Sequence, residues 1–162
     1  MKALIVFYSF SGNTKNIALG IKDILIKKEI DAETLELKPD IESKNFIRQA
    51  VQSLFSKKVK LSNQDILDVS EYDYIFLGTP VWAFAPSPAL RSFIERCSTL
   101  KKKKAYLFAT YGSGVGKERC MDKLERLLSK RFNSVIGKIM ISDKKIDDKE
   151  GLSKVFNDNI KL

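Results

Sequence analysis

What most narrows the possible folds of this chain is its alternation of short, continuous apolar runs with stretches of helical periodicity. Ala3 to Tyr8 is apolar at every position, the pattern of a strand buried on both faces. Asn13 to Lys28 then carries Ile17, Ala18, Ile21, Ile24 and Leu25 at helical spacing, and Ala32 to Leu37 reads as a second strand. Phe46, Ile47, Ala50, Val51, Leu54 and Phe55 mark a second helix, followed by a polar crossover and a third strand over Tyr74 to Gly78. Ser87 and Pro88 supply a cap and a first-turn proline for a helix running to about Cys97. Ala105 to Ala109 is a fourth strand, and Lys117 to Arg131 is a helix with Met121, Leu124, Leu127 and Leu128 inward. Val135 to Ile141 is a fifth strand, and Lys149 to Ile160 the last helix. Five strands alternating with helices imply an α/β fold, a doubly wound five-stranded parallel sheet with helices on both faces.

A length of 162 residues suits one such core and is short for two. No repeat, linker or low-complexity stretch divides it, so residues 1–162 are read as a single domain. No apolar run approaches the roughly 20 residues of a membrane-spanning helix, so no membrane span is expected. The opening MKALIVFYSF has a short apolar stretch but no small-residue cleavage site, and it reads as the first strand rather than a signal peptide. Two cysteines, Cys97 and Cys120, make neither a disulfide framework nor a metal site. With no histidine, metal sites, triads and proton shuttles built on imidazole are excluded. A cytoplasmic location is the expectation.

The net charge of +9 is uneven: basic and acidic residues balance at 11 each through Val81, so the whole excess follows Trp82. Such a surface steers acidic partners, and it also fits a solvated, lysine-rich face. The run Lys101 to Lys104 has no interleaved aromatics, which argues against nucleic acid.

Sheets of this kind bind ligands at the carboxyl ends of their strands, where the strand order reverses. After the first strand the chain reads Ser9-Phe10-Ser11-Gly12-Asn13-Thr14 and opens directly into a helix. Three hydroxyls and a run of backbone amides converge on the positive end of that helix, an arrangement suited to a phosphate held by neutral donors. The competing reading of this segment is a capped helix start and nothing more. There is no Gly-Lys-Ser/Thr loop and no G-x-G-x-x-G after any strand. Cys120 and Arg126 match a cysteine-phosphatase spacing, but they fall inside an amphipathic helix with Asp122 and Glu125 between them, and the match is read as coincidence.

The third strand runs into Thr79-Pro80-Val81-Trp82-Ala83-Phe84-Ala85-Pro86, which puts the only tryptophan where a pocket should open. A planar aromatic there stacks on a flat heterocycle or walls off one side of it; the competing reading makes Trp82 and Phe84 core residues. The fourth strand runs into Thr110-Tyr111-Gly112-Ser113-Gly114-Val115-Gly116, where glycines let backbone amides approach a ligand edge.

With S-x-S-G-N-T after the first strand and TPVWAFAPSPALRSFI after the third, the chain resembles the flavodoxin-like family along nearly its whole length. The resemblance implies the strand order 2-1-3-4-5 and FMN as cofactor. Ser9, Phe10, Ser11, Gly12, Asn13 and Thr14 would hold its phosphate. Pro80, Val81, Trp82, Ala83 and Phe84 would flank the isoalloxazine, and Thr110, Tyr111, Gly112, Ser113 and Gly114 would meet the pyrimidine edge. No side chain need act as a catalytic acid or base. Three positions depart from the family. The chain is basic where flavodoxins are acidic, so its redox partner proteins would be acidic. Val115, or else Tyr111, stands where many flavodoxins put a tyrosine over the outer flavin face, and an uncovered face would admit a hydride donor or quinone. Ala83 stands where glycine is common, and its Cβ disfavours positive φ by roughly 1 kcal/mol, which implies weaker stabilisation of the one-electron-reduced flavin.

Electron transfer between protein partners is therefore the first expectation. The alternatives are an NAD(P)H- or quinone-dependent oxidoreductase of the same fold, and a non-redox protein that binds another phosphorylated planar ligand or serves as an interaction domain.

Overall fold

The computed structural model describes residues 1–39, 61, 68–97, 103–129 and 134–162, and in it the apolar runs become the strands of one parallel sheet. These are β1 (Lys2–Phe7), β2 (Asp31–Glu36), β3 (Tyr74–Pro80), β4 (Lys104–Tyr111) and β5 (Ser134–Ser142), in the order β2-β1-β3-β4-β5. All four pairings are parallel. The helices are α1 (Asn13–Lys27), α2 (Pro88–Arg96), α3 (Lys117–Ser129) and α4 (Lys149–Asn159). The expected helix over Phe46 to Phe55, the end of the helix expected to reach Arg131, and Lys101 and Lys102 of the lysine run lie outside the described residues.

Period-two alternation explains why the central strands are apolar throughout. Leu4, Val6, Ile75, Leu77, Leu107 and Ala109 point to one face, where α2 and α3 cover them with Leu90, Phe93, Met121 and Leu124. Ile5, Phe7, Tyr74, Phe76, Tyr106 and Phe108 point to the other, against Ile17, Ile21 and Leu25 of α1 and Phe156 of α4. Phe76 and Tyr106 stack there, their ring centroids 4.7 Å apart and nearly parallel.

The caps follow the residue types. Ser87 accepts from the Leu90 amide at the start of α2, and Asp148 accepts from Gly151 at the start of α4. β3 and β4 each run two residues beyond their apolar stretches, because Pro80 keeps register with Thr110 and the Val81 amide donates to the Thr110 carbonyl (2.8 Å). Proline has no N–H to offer the ladder, so it is tolerated where the strand is ending. A short 3-10 turn, Asp143–Lys145, follows β5 and had no clear sequence signal.

β1 is the switch point, since the chain passes from it to β2 on one side and later returns to β3 on the other. The Leu37 amide still donates to Phe7 (2.7 Å) and the Tyr8 amide to Gly78 (3.2 Å). In doubly wound sheets ligands bind beyond such a switch point, outside the carboxyl ends of the strands.

Candidate functional site

Every site residue named from the sequence lies at this pole, either in the last residues of β3 and β4 or in the turns after β1, β3 and β4. In the first turn, Gly12 is the N-cap residue of α1, at φ 91°. Positive φ is the region glycine enters without steric cost, and a Cβ here would meet nothing within 4 Å, so the space beside it is open. Gly12 brings no side-chain cap. Ser9 Oγ instead accepts from the Lys15 amide (3.2 Å), leaving the amides of Asn13 and Thr14 without an acceptor among the described residues. Orphan donors at a helix N-terminus, with the macrodipole behind them, form an anion cradle. Ser11 and Phe10 are exposed beside it, and Asn13 is half-buried. The Lys15 ammonium pairs with Glu36 (2.9 Å), which leaves neutral donors at the start of α1.

Thr14 anchors this turn. Its buried hydroxyl lies 2.8 Å from that of Thr110, joining the start of α1 to the end of β4. Thr110 and Tyr111, expected in the loop, are the last two residues of the strand.

In the second turn, buried Thr79 closes the base, its hydroxyl accepting from the Ser87 amide (2.8 Å) and donating to the Pro80 carbonyl (2.9 Å). Between them Trp82 and Ala85 exchange two backbone hydrogen bonds (3.1 and 2.8 Å) around a two-residue turn. Ala83 and Phe84, both at positive φ (43° and 66°), are its exposed tip. The half-buried Trp82 indole stands edge-on to Tyr8 (5.4 Å) and to Phe10 (6.0 Å), and it also packs on the core. One side of Trp82 is thus core, and its ring meets Tyr8 and Phe10 edge-on at the strand ends.

In the third turn, Gly112 and Ser113 are exposed, and Gly114 lies against the half-buried ring of Tyr111. The Lys117 ammonium sits 4.7 Å from the centre of that ring. Val115, one candidate for a cover over the pole, projects into solvent at 68% exposure.

The sequence reading missed three contributors. Tyr8 backs Trp82, while Gly116 and Arg119 pack against Phe84. Gly116 stands two residues beyond Gly114 in the same glycine-rich run, a signal that was present but not used. Cys120 is fully buried on α3, and burial pushes its thiol up to about 12, with Lys123 opposing weakly. A thiol held protonated is no phosphatase nucleophile, so its spacing from Arg126 is coincidence. The pole can grip an anion by backbone amides and hydroxyls and border a flat ring with aromatics.

The flavodoxin family model matches residues 2–157. The chain belongs to the flavodoxin family. As a flavodoxin-family member it is 28% identical over 114 residues to the Bacillus subtilis (strain 168) protein named "Probable flavodoxin 1". That match takes in 70% of this chain and 56% of the relative, so the chain spans little more than half of that relative's length. Among solved structures it is similar to a Lactobacillus acidophilus NCFM flavoprotein in complex with FMN. The TM-score is 0.67 at 22% identity, covering 92% of this chain and 98% of the other. It is also similar to oxidised Flavodoxin 1 from Bacillus cereus, with a TM-score of 0.63 at 21% identity, covering 99% and 100%. At these identities the structural likeness is one of fold.

Proposed function

We propose that this pole binds one FMN and that the protein carries electrons between redox partners. The reading rests on the start of α1, where two unaccepted amides and the open space at Gly12 stand beside an aromatic wall. Membership of the flavodoxin family and the FMN complex of the Lactobacillus acidophilus relative support the same ligand.

The amides of Asn13 and Thr14, with the hydroxyls of Ser9 and Ser11 beside them, would hold the phosphate. Pro80, Val81, Trp82, Ala83 and Phe84 would flank the ring, with Phe10 against Trp82. Thr110, Tyr111, Gly112, Ser113 and Gly114 would meet the pyrimidine edge, where backbone amides stabilise negative charge. FMN, when bound, supplies the redox chemistry. The chain's residues bind and orient it and restrict water on the Trp82 side.

The basic excess after Trp82 supports a redox partner protein with an acidic face. Two cysteines that are both buried fit a cytoplasmic setting, where thiols stay reduced. Among the described residues, no helix is long and apolar enough to cross a membrane.

Titration of the purified protein with FMN tests this reading. We expect quenched flavin fluorescence that saturates near one equivalent, and a loaded protein that oxidises NADH or NADPH no faster than free FMN does. Absence of quenching would overturn the ligand; steady nucleotide consumption would assign a reductase instead of a carrier.

A further inference from the structure

We propose that a basic stripe along α3, with Phe84 and Val115 at its pole end, is a docking surface for a protein partner that presents a row of carboxylates ending in an apolar side chain. As a statement about electron exchange this rests on the FMN reading above, whereas the surface itself is read from α3 and the two turns beside it.

Arg119, Lys123 and Arg126 are all exposed. At helical spacing they fall within an arc of about 60° and span about 10 Å of the axis. Among the described residues, no carboxylate forms an ion pair with any of the three. The acidic residues of the same helix, Glu118, Asp122 and Glu125, occupy the neighbouring arc. Glu118 lies 3.7 Å from the Lys117 ammonium, and Glu125 pairs with Lys138 (2.6 Å), so both are answered from within the chain.

The stability of α3 does not account for the stripe. Arg119 and Lys123 stand four residues apart and Lys123 and Arg126 three, so like charges face each other across successive turns. Arg119 is also the third residue of the helix, at the positive end of its dipole, where a cation is unfavourable. A row of cations that works against its own helix calls for anions from outside.

The apolar end is continuous with the row. Phe84 is 40% exposed and Val115 68%. The Phe84 ring lies over Gly116, the residue after Val115, since a Cβ there would stand 1.8 Å from Phe84 Cδ1. The Arg119 guanidinium stands 6.0 Å from the centre of the same ring. An exposed aromatic and an arginine at the centre of a charged surface are the residue types enriched where proteins meet. Phe84 belongs to the turn after β3 and Val115 to the loop after β4, so a partner seated on both lies against the candidate flavin site. A nucleic acid fits less well, because its unbroken row of phosphates would also lie along Glu118, Asp122 and Glu125. A protein can set carboxylates against one arc and cations against the next.

The probe for the test is a plant-type ferredoxin, an acidic one-electron carrier. It is used with wild type, with R119Q/K123Q/R126Q, and with K27Q/K149Q/K154Q, which removes three exposed charges from α1 and α4 on the other face of the sheet. At about 20 mM salt, binding of the FMN-free protein to immobilised ferredoxin should weaken about tenfold in the stripe variant and stay within about twofold in the other. Val115→Ser should weaken binding about threefold at low and high salt alike. In the FMN-loaded protein, reduced ferredoxin gives up one electron and the flavin gains it, and the second-order rate should rank the variants in the same order. Losses that agree within twofold in the two triple variants overturn the proposal, as does a wild type that does not bind the probe. If the stripe variant does not fold, K123Q carries the same test at about twofold amplitude, and no change in it overturns the proposal. Oligothymidine that binds wild type more tightly than ferredoxin does, and is lost with the same three charges, would make the stripe a nucleic-acid surface and overturn it too. If wild type takes up no FMN, the carrier reading fails, and the binding comparison alone decides the docking surface.

Discussion

The hydroxyls of Thr14 and Thr110 lie 2.8 Å apart in the buried interior, joining two segments 96 residues apart in the chain. One belongs to the first turn of α1 and the other to the end of β4, so the bond ties the start of that helix to the third loop. Replacing one partner with valine strands the other hydroxyl in a dry site, which costs about 1–3 kcal/mol. Replacing both removes the orphan. We expect T14V and T110V each to lower the urea midpoint, and the double variant to lose clearly less than the two losses added. Strict additivity would show that the pair does not act as one.

A second expectation concerns Gly78, directly opposite Phe108 across the β3–β4 ladder. A Cβ at Gly78 would stand 2.0 Å from Phe108 Cζ, so the ring has taken the space beside the glycine. Gly78→Ala should destabilise by about 1–3 kcal/mol through overpacking. Phe108→Leu in the same chain should recover part of that loss, measured by urea unfolding. A G78A protein as stable as wild type would contradict the packing described here.

The third concerns pH. Burial raises the Cys120 thiol from 9.0 to about 12, so the folded state binds a proton that the unfolded state gives up earlier. The resulting stabilisation is complete below about pH 9 and is lost progressively as pH rises toward 12. A disulfide reagent at pH 8 should leave Cys120 unlabelled in the folded protein and label it at once in urea. Rapid labelling of Cys120 in the native protein would contradict its burial.

The order of elements was legible because a strand covered on both faces has to be apolar at successive positions, as β1, β3 and β4 are. The helix start at Ser87 was legible because capping is local chemistry. What escaped was non-local. Nothing near Ala83 and Phe84 announces a two-residue turn, since its usual signal is glycine or asparagine, and the neighbour that Phe84 packs beside, Gly116, lies in another loop. The Thr14–Thr110 bond likewise pairs two ordinary residues that only the strand order brings together. The ends of β3 and β4 were missed because Pro80 offers no amide to a ladder and Thr110 opens into a glycine-rich run, yet the two stay in register.

The three turns were found by topology and composition together. Strand ends at a switch point say where to look, and the residues there say what could bind. That reasoning placed Trp82 beyond the end of β3 without revealing that Tyr8 and Phe10 meet it edge-on.

The central claim is tested most directly by a crystal structure of the protein grown with excess FMN. The account predicts phosphate oxygens within about 3 Å of the amides of Asn13 and Thr14, with the ring bordered by Trp82. Crystals whose pole holds only solvent, or a phosphate bound elsewhere on the chain, would contradict it.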